Sequence, residues 1–321
     1  MNHTRNELKG FFTEHWKYMA VRTACKLNIF DLIKKGIDTN EKIQKELAAD
    51  FKAIETLLFA LVQLGFLKII ANKYSLNDKS ELLIDDNPQS LKNACILWGD
   101  EHLDAWQKLD YTIKTGKPSF EKSNTAYFDY LALNPDKLKN YHKAMHEYAI
   151  EDYKDIHKFI DFDKYKSVMD IGGSIGALIS VIKENTNIES CYLYDKKEVI
   201  SLNNNLKIEL VSGDFFKEIP LIADCLVLSR IIHDWEDEKA NVILKNCYNA
   251  LPENGEIILI ENFTDKLESK ASLLSLNMMI MCKSYERTEK EYVDLLNNNG
   301  FKINKIKQLN KLQYIIIASK L

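Results

Sequence analysis

The stretch VMDIGGSIGALISVI, Val168 to Ile182, decides how the chain folds. It opens on apolar residues interrupted by one acid, Asp170. It then places glycines at 172, 173 and 176 and closes on apolar residues at helical spacing. The spacing predicts a strand, a tight turn and a helix. Glycines there let the backbone turn sharply and come close to a ligand, and the first turn of the helix offers unpaired N–H groups.

This is not the G-x-G-x-x-G pattern, because Ile171 takes the place of its first glycine. Asp170, immediately before the turn, is awkward for a pyrophosphate and suits a ligand with an amino or cationic group. The expectation moves from a dinucleotide towards an amino-acid-bearing nucleoside such as S-adenosylmethionine.

Outward from this turn the chain reads as strands. KSVMDIGG, ESCYLYD, KIELVSGD, ADCLVLSR, GEIILIEN, FKINKIKQ and QYIIIASK are extended in pattern, and helical segments separate the earlier ones. Several are near-continuous apolar runs, as in a parallel sheet covered on both faces. The last two are joined by little more than Leu309-Asn310-Lys311, which is too short for a crossover, so they form a hairpin. The fold class is α/β: a Rossmann-like, doubly wound sheet with an antiparallel C-terminal end.

Residues upstream of about 160 follow the helical period. Phe12, Trp16, Met19, Ala20, Thr23 and Leu27 share one face of a helix, and Asp38 with Glu41 reads as a capping pair. The helix from Phe51 to Gly65 is followed by a strand, a turn at Ala71–Asn72 and a second strand, the order of a winged helix. A DNA-reading helix needs cationic and amide side chains, whereas this one offers Ile54, Leu57, Leu58, Phe59, Leu61, Val62 and Leu64. It reads as a packed module or a dimer interface. Three regions are expected: a winged-helix dimerisation domain over 1–90, a helical region over 91–160 rich in aromatic residues and histidine, and a ligand-binding domain over 161–321.

Composition agrees. The 321 residues are 46% hydrophobic and 28% charged, with a net charge of −4 and a pI near 6.0. That balance argues against a nucleic-acid footprint. The six cysteines form no C-x-x-C pair and five lie in or beside apolar runs, as reduced thiols of a cytoplasmic protein do. No secretory leader is read at the N-terminus, and no apolar run approaches the ~20 residues that span a bilayer.

Three further strand ends carry polar groups. Asp195, 19 residues after Gly176, is placed to accept from ribose hydroxyls, an argument that fits NAD equally. Asp214 can accept from an adenine amine, with Phe215 or Phe216 over the ring. Either acid alone can equally cap the helix that follows. Together with the glycine turn they mark the sheet edge where ligands of doubly wound folds bind.

The fourth strand ends in SRIIHDWEDE, Ser229 to Glu238. There His233 is either a polar bridge to the next helix, which Asp234 or Asp237 would cap, or a reagent. A neutral imidazole beside a methyl donor can take the proton of a phenol. Glu286, in the loop before a Thr288–Glu291 capping box, can hold its far nitrogen.

VMDIGGSIG, SGDFF, SRIIHDWEDE…ILKNCYNALPENGEIILIE and SYERTEKEYVDLLNNNGF, in order and spacing, resemble one family. It is the S-adenosylmethionine-dependent O-methyltransferases, which include plant caffeate and isoflavone enzymes, hydroxyindole O-methyltransferase and bacterial polyketide-tailoring enzymes. LNIFDLI…IETLLFALVQLGFLKI…YSLN looks like that family's dimerisation domain.

The resemblance implies that His233 is a general base oriented by Glu286 and that Asp234 touches the acceptor hydroxyl. It implies a cofactor site of Asp170, Gly172, Gly173, Gly176, Asp195, Asp214, Phe215 and Ser229, where S-adenosylmethionine becomes S-adenosylhomocysteine. It implies a small-molecule acceptor lined by Trp98, His102, Met145, Met278 and Met279, a homodimer, and neither metal, nucleic acid nor membrane. Plant members have lysine where this chain has Ser229. They also have a second carboxylate in the last strand, where Tyr314–Ile317 has none, so the expectation is that His233 relies on Glu286 alone.

Two variants of the resemblance are carried along. One is methylation of carbon beside a keto group, with a metal on histidine and aspartate, although Tyr285 stands where a second histidine would help. The other is a repurposed, non-methylating member. An NAD oxidoreductase is opposed by the Asp170-x-Gly-Gly turn and the terminal hairpin.

Overall fold

The computed structural model describes residues 2–203, 207–221, 223–266 and 271–321. The chain divides into two compact units, 1–101 and 102–321.

The N-terminal unit is helical with one small hairpin. The helices Glu14–Lys26, Ile29–Lys34 and Phe51–Gln63 bury Val21, Ala24, Cys25, Ile29, Phe30, Ile54, Leu58 and Leu61 in one core. The helix Asn40–Leu47 is capped by Thr39, whose hydroxyl accepts from the N–H of Lys42 in extended geometry. The expected Asp38–Glu41 cap is therefore displaced by one residue, and Asp38 instead pairs with the Lys42 ammonium at 2.8 Å. Strands β1 (Lys68–Ile70) and β2 (Lys73–Ser75) are antiparallel, and the left-handed residues Ala71 and Asn72 make their turn.

In the C-terminal unit, β3 (Ser167–Ile171), β4 (Ser190–Asp195), β5 (Glu209–Ser212), β6 (Cys225–Ser229), β7 (Glu256–Asn262), β8 (Phe301–Gln308) and β9 (Gln313–Lys320) form a sheet of order β5-β4-β3-β6-β7-β9-β8. The first five strands in that order are parallel, β9 runs antiparallel to β7, and β8 runs antiparallel to β9. The apolar runs of β3, β6 and β7 are buried almost throughout because helices cover both faces. The helices Asp237–Ala250 and Glu289–Asn298 pack on one face through Ile243, Leu244, Cys247, Tyr292 and Leu296. The helix Ala177–Asn185 and the end of Pro135–Tyr153 pack on the other through Leu178, Ile179, Ile182, Ala149 and Tyr153.

Strand order reverses between β3 and β6, so the connections leaving these strands diverge and open a crevice at their C-terminal ends. The glycine turn follows β3 and the His233 segment follows β6. The sequence therefore carries both to the same place.

Candidate active site

The turn after β3 is sterically committed to glycine. Gly172 has φ +69°, and a Cβ there would lie 2.5 Å from the Ile231 side chain. A Cβ on Gly173 would lie 2.5 Å from the Asp170 carboxyl carbon, so the missing side chain leaves room for that acid. Gly176 then opens the helix Ala177–Asn185.

Asp170 is buried, and its Oδ2 has no hydrogen-bond partner within the protein. Burial, with the nearby Asp195 charge adding to it, pushes its carboxyl up to about 7. Asp195 accepts from the backbone N–H of Ser174 at 2.9 Å and of Lys196 at 2.7 Å, and burial still holds its pKa up at about 6. Two carboxyls at one crevice, one with an orphaned oxygen, need a hydrogen-bond donor to complete them.

The other expected contacts fall out differently. Asp214 Oδ1 accepts from the N–H of Phe216 at 3.0 Å, so this acid does shape its local turn. Phe215 stands edge-on to Phe216 and Trp235. Ser229 shares a 2.5 Å hydrogen bond with the Tyr153 hydroxyl.

On the β6 side, His233 sits in the short 3₁₀ turn Ile232–Asp234 and is 6% exposed. Its Nδ1 lies 2.8 Å from Glu286 Oε1. A carboxylate accepts only, so Nδ1 carries the proton and Nε2 is the basic nitrogen. Asp234 Oδ1 lies 3.7 Å from Nε2. Burial alone would push the imidazole down, but Glu286, Asp234 and Glu261 outweigh it and raise its pKa to about 10. Burial likewise pushes Asp234 up to about 6.

The expectation that His233 depends on Glu286 alone is corrected. Glu261, near the end of β7, places Oε2 4.0 Å from Nδ1 of His233, while its Oε1 accepts from the N–H groups of Ile231 and Ile232. Glu286 itself is fixed by Asn262, which donates to Oε1 at 2.9 Å, and by its backbone N–H, which donates to Ser275. Donor atoms of His233, Glu261 and Glu286 lie within 4.8 Å of one another, the spacing of a metal pocket. In this structure two of these atoms, Nδ1 of His233 and Oε1 of Glu286, are hydrogen-bonded to each other.

Arg287 was also missed. It is 1% exposed and donates to the carbonyls of Ile232 and Trp235 and to Asp237, so it clamps the segment that carries His233. Asp237 is thereby used as an ion partner, and neither it nor Asp234 caps the helix Asp237–Ala250. The cap position is Glu236, whose side chain does not cap the helix and instead accepts from the Lys283 ammonium at 2.7 Å. The Thr288–Glu291 capping box forms. The signal for Arg287 was its place, an arginine between a buried loop and a helix cap.

The expected lining residues differ in burial. Met278 is buried, and Met279 and Met145 are half-buried. His102 is buried against Tyr127, edge to face at 5.2 Å, and burial pushes it down to about 3. Trp98 belongs to the N-terminal unit, at the end of the helix Lys92–Leu97.

Residues 106–302 match the O-methyltransferase domain and residues 10–86 the O-methyltransferase dimerisation domain.

The chain belongs to the O-methyltransferase family.

It is 28% identical to a phenazine O-methyltransferase of Lysobacter antibioticus, over 93% of this chain and 91% of that protein. It is 27% identical to a phenazine-1-carboxylate N-methyltransferase of Pseudomonas aeruginosa, over 96% and 95%. The crystal structure of LaPhzM superposes with a TM-score of 0.93 at 26% identity, covering 99% of each chain. Other solved proteins of this fold hold S-adenosylmethionine or S-adenosylhomocysteine. The resemblance read from the sequence and the α/β fold with a helical dimerisation unit are thus both found.

Proposed function

We propose that this protein transfers a methyl group from S-adenosylmethionine to a hydroxyl of a small aromatic molecule, with His233 as general base. The observation that carries the reading is the 2.8 Å hydrogen bond from His233 Nδ1 to Glu286, which leaves Nε2 as the basic atom at the switch-point crevice. When bound, S-adenosylmethionine supplies an electrophilic methyl group on a sulfonium.

The residues around it have assignable tasks. The orphaned Oδ2 of Asp170 would accept from the amino group of the methionine moiety. Asp195 would accept from the ribose. Gly172, Gly173 and Gly176 let the backbone approach, Asp214 and Phe215 would hold the adenine, and Ser229 would be a further cofactor contact. His233 Nε2 would take the acceptor proton as its oxygen attacks the methyl carbon in line. The proton ends on the imidazole, whose positive charge Glu286 and Glu261 balance. Asp234 would orient the hydroxyl. Alignment of two reactants in a dry crevice supplies much of the remaining acceleration.

His102 and Met145, of a helical region 91–160, and Met278 and Met279, of the cofactor domain (161–321), would line the acceptor, and a dimerisation module (1–90) precedes them in the chain. The order helix, helix and β1–β2 hairpin supports a winged-helix reading of the module. The family's dimerisation domain supports a homodimer. Among the described residues no helix is long and apolar enough to cross a membrane, and the free cysteines support a reducing, cytoplasmic setting. The phenazine relatives support a planar aromatic acceptor. The test is conversion of S-adenosylmethionine to S-adenosylhomocysteine across a panel of hydroxylated aromatics. If no member of the panel accepts a methyl group, the activity reading fails.

A further inference from the structure

Strand β8 departs from the pattern that the rest of the sheet obeys. A bulge between Ile303 and Lys305 shifts its register by one residue. Before it, Ile303 points into the core beneath the helices Asp237–Ala250 and Glu289–Asn298, and after it Ile306 does so. Lys305 and Lys307 are thereby placed opposite Ile317 and Ile315, which belong to the apolar layer on the other face. Cross-strand partners share a face, so two cations stand where an apolar pair would be expected.

These lysines border a cleft of about 430 Å³ whose opposite wall is the segment 157–161. Phe159, Ile160 and Ile317 make its floor, and Lys158 and Lys164 add to its cationic rim. Lys158 is paired with Asp155 and Lys164 with Glu256. Among the described residues Lys305 and Lys307 have no ion-pair partner, and the acid that lines the cleft is Asp161. The Lys307 ammonium lies 5.6 Å from the centre of the Phe159 ring, and burial and then Lys305 push its pKa down. Nδ1 of His157, also in the lining, is buried without a hydrogen-bond partner.

We propose that this cleft binds an amphiphilic organic anion, an apolar body bearing a carboxylate or a phosphate, outside the methyl-transfer site. None of its lining residues belongs to that site. The unpaired lysines supply the anion contact and the apolar floor takes the body. The volume falls in the range of small-molecule sites, roughly 300–1,000 Å³. Lys305 is exposed and Lys307 half-buried, so both ammonium groups can reach an anion at the mouth of the cleft.

The test uses the full-length protein saturated with S-adenosylhomocysteine and titrated with 8-anilinonaphthalene-1-sulfonate, an aromatic anion that fluoresces in apolar surroundings. A salt-sensitive binding component is expected, weakened about tenfold or more by K305Q/K307Q. Methyl transfer should stay within about twofold, because the two sites share no residues. Octanoate or octyl phosphate should displace the probe and inorganic phosphate should not; which octyl compound competes better identifies the head group. K307M, which removes the half-buried charge and keeps the shape, should bind less probe and melt at a higher temperature. Identical isotherms for the wild type and all variants, or no salt-sensitive component in the wild type, overturn the proposal. The two lysines would then serve only to keep the edge strand from pairing with other chains. Equal displacement by inorganic phosphate overturns the requirement for an apolar body.

Discussion

Glu261 holds His233 twice over. One carboxylate oxygen accepts from the backbone N–H groups of Ile231 and Ile232, the two residues before the histidine, and the other lies 4.0 Å from its Nδ1. A single acid on β7 thus fixes the turn that aims the imidazole and adds negative charge beside it. Burial, opposed by His233, pushes Glu261 itself up to about 7.

If His233 is the base, His233→Ala removes proton transfer and leaves the cofactor crevice intact. The expected loss in kcat is about 10²–10⁴-fold, the usual contribution of a positioned base. The dissociation constant for S-adenosylhomocysteine, measured by calorimetry, should change by less than about twofold, since none of the residues assigned to the cofactor is altered. Turnover should also survive EDTA. A variant that keeps most of its turnover would show that positioning alone suffices.

The surrounding acids predict where the pH profile lies. The neutral ring is the acting form, so kcat/KM rises with pH through the ionisation of His233. With three carboxylates around it that ionisation lies well above the ordinary 6.5, near 10 in the free protein. Glu286→Gln removes the strongest of the charges acting on the ring, and the acidic limb should move down towards neutrality while kcat falls. A wild-type limb at or below pH 6.5 would show that the acids do not act on the ring in the working enzyme.

How much of this was legible in the sequence follows from how locally each feature is determined. The glycine turn, the strand ends at Asp170, Asp195 and His233, and the terminal hairpin are set by runs of a few residues, and they were readable. The place of β9 between β7 and β8 also had a signal, because Ile315–Ile317 is apolar enough to be central while β8 is rich in lysine. Glu261 was missed because a second acid was sought in the last strand, whereas β7 supplies it. An acid inside GEIILIEN, a strand otherwise apolar, had to find buried partners, and that was the available clue. The Asp38 cap failed by one residue because several polar residues compete for the same role at a helix start, and only backbone geometry chooses Thr39.

Asp170 should trade stability for binding. Its folded pKa of about 7 is above its ordinary 3.8, so the folded state holds the proton more tightly. That contribution to stability is fully present below about pH 4 and is lost as pH rises through 7. In the ligand-free protein Asp170→Asn should therefore flatten the fall in melting temperature between pH 4 and 7 and raise stability at pH 8. The same change should weaken S-adenosylhomocysteine binding about tenfold or more, by removing a charged acceptor. Thermal melts across pH, with and without S-adenosylhomocysteine, separate the two effects. Unchanged cofactor affinity would remove Asp170 from the binding site.

Arg287 acts through the backbone of the His233 segment. Its guanidinium donates to two carbonyls, of Ile232 and Trp235, and to Asp237. A lysine cannot span three acceptors in that planar arrangement, so Arg287→Lys should lose most of what Arg287→Ala loses. The expected destabilisation is roughly 2–4 kcal/mol, with carbonyls left unsatisfied in the interior. Denaturant unfolding gives the stability change. If Arg287→Lys unfolds like the wild type, the fork geometry is not what matters.

The N-terminal helices carry the dimer prediction. Leu8, Phe11, Phe12 and Trp16 are 50%, 72%, 65% and 65% exposed in the single chain, in and just before the segment that matches the family's dimerisation domain. Each large apolar side chain that a second copy covers contributes roughly 1.5–3 kcal/mol. Phe12→Asp with Trp16→Asp replaces two of these with charges that resist burial. The association constant should fall by at least about a hundredfold, the equivalent of one such pair. The fold of the single chain should be kept, because neither residue belongs to its core. Light scattering across a dilution series reads the mass directly, and far-ultraviolet circular dichroism checks the fold. A double variant that remains dimeric at micromolar concentration would place the interface elsewhere on the chain.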